Sequence, residues 1–93
     1  MNIIVLEGKK MTSKQQAHAY IAETMSFPEY YGSNLDALAD CLSDMPKGTT
    51  VILIDDDDMR KNMGHYADSI IDVFQSVSDE YRNFDFLLCG DIS

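Results

Sequence analysis

The chain has 93 residues, one domain's worth, with 45% hydrophobic and 25% charged residues, ordinary values for a folded protein. Against 7 Lys and Arg stand 16 Asp and Glu, a formal net charge of −9. That field repels phosphate backbones and anionic membranes, so direct nucleic-acid or membrane binding is not expected, and a cationic partner or simple solubility is. Met1-Asn2 leads into an apolar run with no basic leader, and no stretch approaches the ~20 apolar residues of a membrane span, which places the protein in the cytoplasm. Cys41 and Cys89 lack metal-ligand or CxxC spacing and read as two reduced thiols.

Ile3-Ile4-Val5-Leu6, closed by Gly8, predicts a buried strand. Thr12 or Ser13 offers a cap for a first helix with Ala17, Ile21 and Met25 on one stripe, ended by Phe27-Pro28. Residues 29–34 form a loop, and Ser33 or Asn34 caps a second helix with Leu35, Leu38 and Leu42 on one face, broken at Met45-Pro46-Lys47-Gly48. Thr49 to Ile54 is apolar on successive residues, a strand expected to be covered on both faces. Asp55 to Asp58 lead into a short helix around Met59–Met63. A long helix follows from His65 to Tyr81, with Ile70, Ile71, Phe74, Val77 and Tyr81 as its buried stripe. Phe84 to Leu88 is a last strand, and Asp91-Ile92-Ser93 a tail. Strands separated by helical crossovers predict a single α/β domain over residues 1–93 with a small three-stranded parallel sheet and about four helices.

The second helix carries Asp36, Asp40 and Asp44 at i, i+4 and i+8, and no Lys or Arg occurs between Lys14 and Lys47. Like charges at that spacing destabilise a helix by about 0.2–0.5 kcal/mol per pair, and an anion at the C-terminal end opposes the helix dipole. A row of unpaired carboxylates is therefore better explained by a cationic partner than by stability, although a plain solvated face has the same pattern. Tyr30 and Tyr31, just ahead of it, are rigid amphipathic side chains suited to interfaces. One of them is expected to pack in the core. Gly32 permits close backbone approach.

The segment Pro28-Glu29-Tyr30-Tyr31-Gly32-Ser33-Asn34-Leu35-Asp36-Ala37-Leu38-Ala39-Asp40-Cys41-Leu42 resembles the signature of the barstar family, PEYYGxNLDALxDCL, with only the two x positions variable. The likeness extends more weakly along the chain, through Gly8 placed 20 residues before Pro28 and through Val73-Phe74 of the long helix. The resemblance implies a non-catalytic protein that binds a basic, secreted-type, guanyl-preferring ribonuclease one to one, is monomeric when free, and uses no cofactor or metal. It implies that Tyr30, Gly32, Asn34, Leu35, Asp36, Asp40 and Ser43 line the contact. Asp40 would stand where the scissile phosphate binds, Asp36 would pair with another basic group at the rim, and Tyr30 would stack near the catalytic histidine. Asp44 joins this set as the last acid of the row. Two positions depart from the family's type member, which carries tryptophan at Ala39 and an acid at Ser76. These departures keep open an immunity protein against a different basic toxin domain.

Two enzyme readings are weaker. Four consecutive aspartates cannot converge on one Mg²⁺ or Ca²⁺, and the sixth position of an EF-hand-like loop from Asp55 would be Arg60 rather than Gly. Acids there suit a helix start. Cys41, expected to be a small buried residue beside the leucine stripe, and His18 and His65 lack any motif of a nucleophile or base, and His18 reads as half-buried at the surface.

Overall fold

The structure is a computed structural model and describes residues 2–89, so the tail at Asp91–Ser93 lies outside the described residues. The elements follow in the order β1 (Asn2–Glu7), a 3-10 turn (Gly8–Lys10), α1 (Lys14–Met25), α2 (Leu35–Ser43), β2 (Thr49–Ile54), α3 (Asp56–Met63), α4 (His65–Tyr81) and β3 (Phe84–Cys89). The three strands form one parallel sheet in the order β1-β2-β3. Leu6 pairs with Leu53 and Leu53 with Leu88, while Val5 pairs with Ile52 and Ile52 with Leu87. This is the three-stranded α/β domain expected from the sequence.

Alternation along a strand sends side chains to opposite faces, so this register sorts the aliphatics into two sets. Leu6, Val51, Leu53, Phe84 and Phe86 point into the core with Ile21, Leu38, Leu42, Met59, Ile70 and Phe74 of the helices. On the other face Ile3 is 62% exposed and Val5 and Leu87 are also exposed. The expectation that β2 is covered on both faces is therefore corrected. Its burial alternates strictly, because the packed helices bury only the Thr49, Val51 and Leu53 side. An unbroken run of branched residues reflects β-propensity here as well as burial.

Local chemistry sets the helix ends. The Ser13 hydroxyl accepts the Gln16 N–H at 3.2 Å and opens α1. The helix closes earlier than Phe27-Pro28 would require, at left-handed Ser26 (φ 58°), whose N–H reaches the carbonyls of Ala22 and Glu23. The helix α3 starts three residues sooner than expected, since left-handed Asp55 turns the chain and Asp56–Asp58 occupy the first turn, where the dipole favours acids. Asp56 is buried and paired with Arg60, which also reaches Asp68 at 2.9 Å. Gly8 is a true close approach, because a Cβ there would run into the carbonyl of Asp55. Ile70, Ile71, Phe74 and Val77 are buried as expected, but Tyr81 is 55% exposed. It is the last residue of α4, just before left-handed Arg82 ends the helix.

Candidate functional site

The carboxylate row depends on how α2 is anchored. Asn34 caps it, its Oδ1 accepting the Ala37 N–H at 2.7 Å. Its Nδ2 donates to the Gly32 carbonyl at 3.4 Å, which ties cap and loop together. Leu38 and Leu42 are wholly buried and Leu35 half-buried. Each full burial contributes about 1.5–3 kcal/mol and fixes the rotation of the helix about its axis. Asp36, Asp40 and Asp44 are then exposed on the opposite side, one turn apart. The ion pairs among the described residues join Lys9 and Lys10 to Glu7, and Arg60 to Asp56 and Asp68, and none of them reaches α2.

The three acids differ in their relation to the helix. Asp36 lies in the first turn, where the positive end of the dipole stabilises it. Asp40 is in the body of the helix with its side chain free of any protein partner among the described residues, and its carbonyl accepts the Ser43 hydroxyl at 2.7 Å. Asp44 is the C-cap residue, placed against the negative end.

The loop ahead of α2 divides its two tyrosines. The Tyr31 N–H donates to the Pro28 carbonyl at 3.0 Å, closing a turn over residues 28–31. That turn leaves Tyr30 87% exposed and sends Tyr31 inward against Phe27, with ring centroids 5.1 Å apart. One tyrosine thus packs and one is presented, as the sequence suggests. Gly32 fits tightly, since a Cβ there would meet the Ala37 Cβ and the Asn34 Nδ2 at 3.3 Å each. Tyr30, Gly32, Asn34, Leu35, Asp36, Asp40, Ser43 and Asp44 therefore all belong to one loop and helix, with Tyr30, Gly32, Asn34 and the three acids exposed. Of the two positions that depart from the family's type member, Ala39 is half-buried on α2 and Ser76 is exposed on α4.

Two supports of this surface escape a reading by motif. His18 is not a half-buried surface residue but 1% exposed. Its Nδ1 shares a 2.6 Å hydrogen bond with the Tyr31 hydroxyl, and its Nε2 a second one of 2.6 Å with the Tyr66 hydroxyl. Burial lowers the imidazole pKa and raises those of Tyr31 and Tyr66, so all three groups are held neutral. Asn83, also buried, aims its Nδ2 at the carbonyls of Leu42 and Met45, each at 2.9 Å, and of Ser43 at 3.3 Å. It thereby caps the end of α2 from the far end of the chain. A buried polar residue beside a strand start is a weak signal in sequence, and its partners 38 to 41 residues away are invisible there.

Cys41 and Cys89 are both free thiols and only partly buried. For Cys41 this corrects the expectation of full burial, because it sits at the edge of the leucine stripe. Burial and then the charges of Asp40 and Asp44 push its pKa up, opposite to what a nucleophile requires. Among the described residues no group of three or more His, Cys, Asp or Glu is placed to hold a metal ion, and no helix is long and apolar enough to cross a membrane. Next to the acids, a cleft of about 350 Å³ lies between residues 25–28 and the C-terminal half of α2.

The arrangement offers an incoming molecule exposed carboxylates and an aromatic ring on a rigidly held helix and turn. Comparison with known proteins gives the same direction. The family model described as Barstar (barnase inhibitor) matches residues 1–89. A protein of Bacillus subtilis (strain 168), named "Putative ribonuclease inhibitor YrdF", is 33% identical over 86 residues, covering 89% of this chain and 92% of that protein.

Proposed function

The chain belongs to the barstar family, and from that membership and the geometry of α2 we propose that it inhibits a basic ribonuclease by placing α2 and the turn before it in the nuclease active site. The observation that carries this reading is the exposed, unpaired carboxylate of Asp40 beside exposed Tyr30, held on a helix fixed at both ends by Asn34 and Asn83. A carboxylate so held accepts charge-assisted hydrogen bonds from the donors that a nuclease builds for its scissile phosphate. Asp36 engages a further basic group at the rim, and Tyr30 stacks on the catalytic imidazole. Binding of this kind buries about 1,600 Å² in total, one to one. Preorganisation matters, because a helix already in its bound shape loses little entropy on docking.

The test is a titration of the protein into barnase and related guanyl-specific ribonucleases while RNA cleavage is followed. Stoichiometric inhibition that is lost in Asp40→Ala supports the reading. Absence of inhibition of every such enzyme moves the weight to a second reading, an immunity protein against another basic toxin domain. The observation favouring that second reading is local: Ala39 and the exposed Ser76 replace a large ring and an acid at the margin of the surface. The heart of the site is kept while its periphery differs.

A further inference from the structure

The two outer strands of the sheet are finished differently. On β1 the Tyr20 hydroxyl accepts the Glu7 N–H at 2.9 Å, and the Glu7 carboxylate is flanked by Lys9 at 3.6 Å and Lys10 at 3.1 Å. Charges and occupied backbone groups of this kind keep an edge from accepting another strand. The opposite edge is β3, where Phe84-Asp85-Phe86-Leu87-Leu88-Cys89 contains no Lys, no Pro and a single charge. Its aliphatics are uncovered on both sides at once. Leu87 points to the open face and is 53% exposed, and Leu88 points to the helix face and is 43% exposed. Leu53, the neighbour of Leu88 on β2, is buried, and Phe86 stacks under the ring of Phe74 with centroids 5.2 Å apart. The helices thus cover the sheet as far as β3 but do not overhang it at Leu88. A molecule laid on the open face would cover Leu87 and leave Leu88 bare, whereas a strand added in the plane of the sheet covers both.

We infer that β3 pairs with β3 of a second copy of this chain, antiparallel about a two-fold axis at Leu87, to form one continuous sheet. The sequence of the strand selects this occupant. About that axis Leu87 meets Leu87, Phe86 meets Leu88, and Asp85 meets Cys89 of the second copy, so apolar residues oppose one another and no two carboxylates do. The two Asp85 side chains stand about 13 Å apart along the ladder. Because the β1 edge is guarded, further copies cannot add there, and assembly stops at a closed dimer instead of running on as a filament. The contact includes no residue of α2 or of the turn before it, so it stands apart from the inhibitor reading. A single strand pair buries little, at or below the low end of about 1,200 Å² for stable interfaces. The net charge of −9 on each copy also opposes association. The dimer is therefore weak, forming as the concentration approaches about 1 mM, and salt strengthens it by screening the repulsion. Association with a basic nuclease has the opposite salt dependence.

The experiment follows the full chain by sedimentation velocity and amide hydrogen exchange from about 10 µM to about 1 mM, at about 0.05 M and about 0.5 M salt. Expected are a monomer–dimer equilibrium that moves toward dimer at the higher salt, and a concentration-dependent protection of amides within residues 84–89. Two exposed aliphatics separate edge pairing from face packing. Leu87→Lys sets two ammonium groups opposite each other at the axis and raises the dimer dissociation constant about tenfold or more, whereas Ile3→Lys, the same charge change on the far strand, leaves it within about twofold. Both positions are exposed, so the urea midpoints of the two variants stay near that of the wild type and a lost dimer is distinguished from a lost fold. A chain that is monomeric at about 1 mM in both salts overturns the proposal. Protection of the same amides by an added strand-forming peptide would then assign the edge to a foreign strand. A dimer lost in Ile3→Lys and kept in Leu87→Lys also overturns it, in favour of packing through the open face.

Discussion

The Nδ1 of His18 lies 2.6 Å from the hydroxyl of Tyr31, and this one hydrogen bond ties α1 to the turn that presents Tyr30. The other ring nitrogen is held by Tyr66 of α4, so three separate segments meet at one imidazole. The neutral ring donates through one nitrogen and accepts through the other, and each tyrosine supplies the complementary role. Lys14 adds its exposed ammonium over the Tyr66 ring, 4.8 Å from its centroid. Replacing His18 by Phe keeps the bulk but leaves two hydroxyls without their partner, a cost of about 1–3 kcal/mol. Thermal unfolding should then fall by about 4–8 °C per kcal/mol at this chain length. An unchanged midpoint would mean that the network contributes nothing.

The same residue sets a pH dependence with a definite sign. In the unfolded chain His18 titrates near the ordinary value of 6.5, and in the folded protein burial holds it lower. Between the two values the unfolded state binds the extra proton, so stability is complete above about pH 6.5 and declines as pH falls toward the lowered folded value. Urea unfolding of wild type and His18→Phe from about pH 8 to about pH 5 isolates this contribution. The wild type should lose more stability than the variant across that range, and parallel curves would refute the assignment.

Tyr30 and Tyr31 should separate binding from folding. Tyr30→Ala removes an exposed ring and should leave the unfolding midpoint within the effect of a surface change, about 0.5 kcal/mol, while weakening inhibition. Tyr31→Phe deletes the hydroxyl that meets His18 and should cost about 0.5–1.5 kcal/mol of stability. Paired unfolding and inhibition assays decide this, and a stability loss in Tyr30→Ala would contradict the geometry.

Asp40→Ala should weaken binding to the inhibited nuclease by about 2–5 kcal/mol, since truncation leaves the partner's cationic groups buried and unpaired. Asn83→Ala should instead act on the fold. It strips the donor from the carbonyls of Leu42, Ser43 and Met45 and should cost about 1–3 kcal/mol. Calorimetry of the free protein and of the complex distinguishes the two, because only the second variant is destabilised when free.

A net charge of −9 predicts electrostatic steering toward a basic partner. The association rate, followed by stopped flow, should fall steeply as salt rises past about 0.1 M, where the screening length is about 10 Å. A rate that ignores salt would rule steering out.

By itself the sequence determined the parallel three-stranded domain, a cap at Ser33 or Asn34, the leucine face of α2 and the exposed acidic row. These are local matters, since periodicity, capping chemistry and the absence of Lys or Arg from 15 to 46 are all written within a few turns of chain. The motif from Pro28 to Leu42 likewise marked the candidate functional segment. Only the tertiary structure decided that one sheet face stays open, that Tyr81 turns outward, and that His18 is buried. It alone brought Tyr31 and Tyr66 to His18 and Asn83 to the end of α2, across 13, 48 and 38 to 41 residues. The physical reason is that a hydrogen bond between distant residues leaves no period in the sequence. A buried polar side chain is satisfied by whichever group the packing delivers, and the packing is a property of the whole chain.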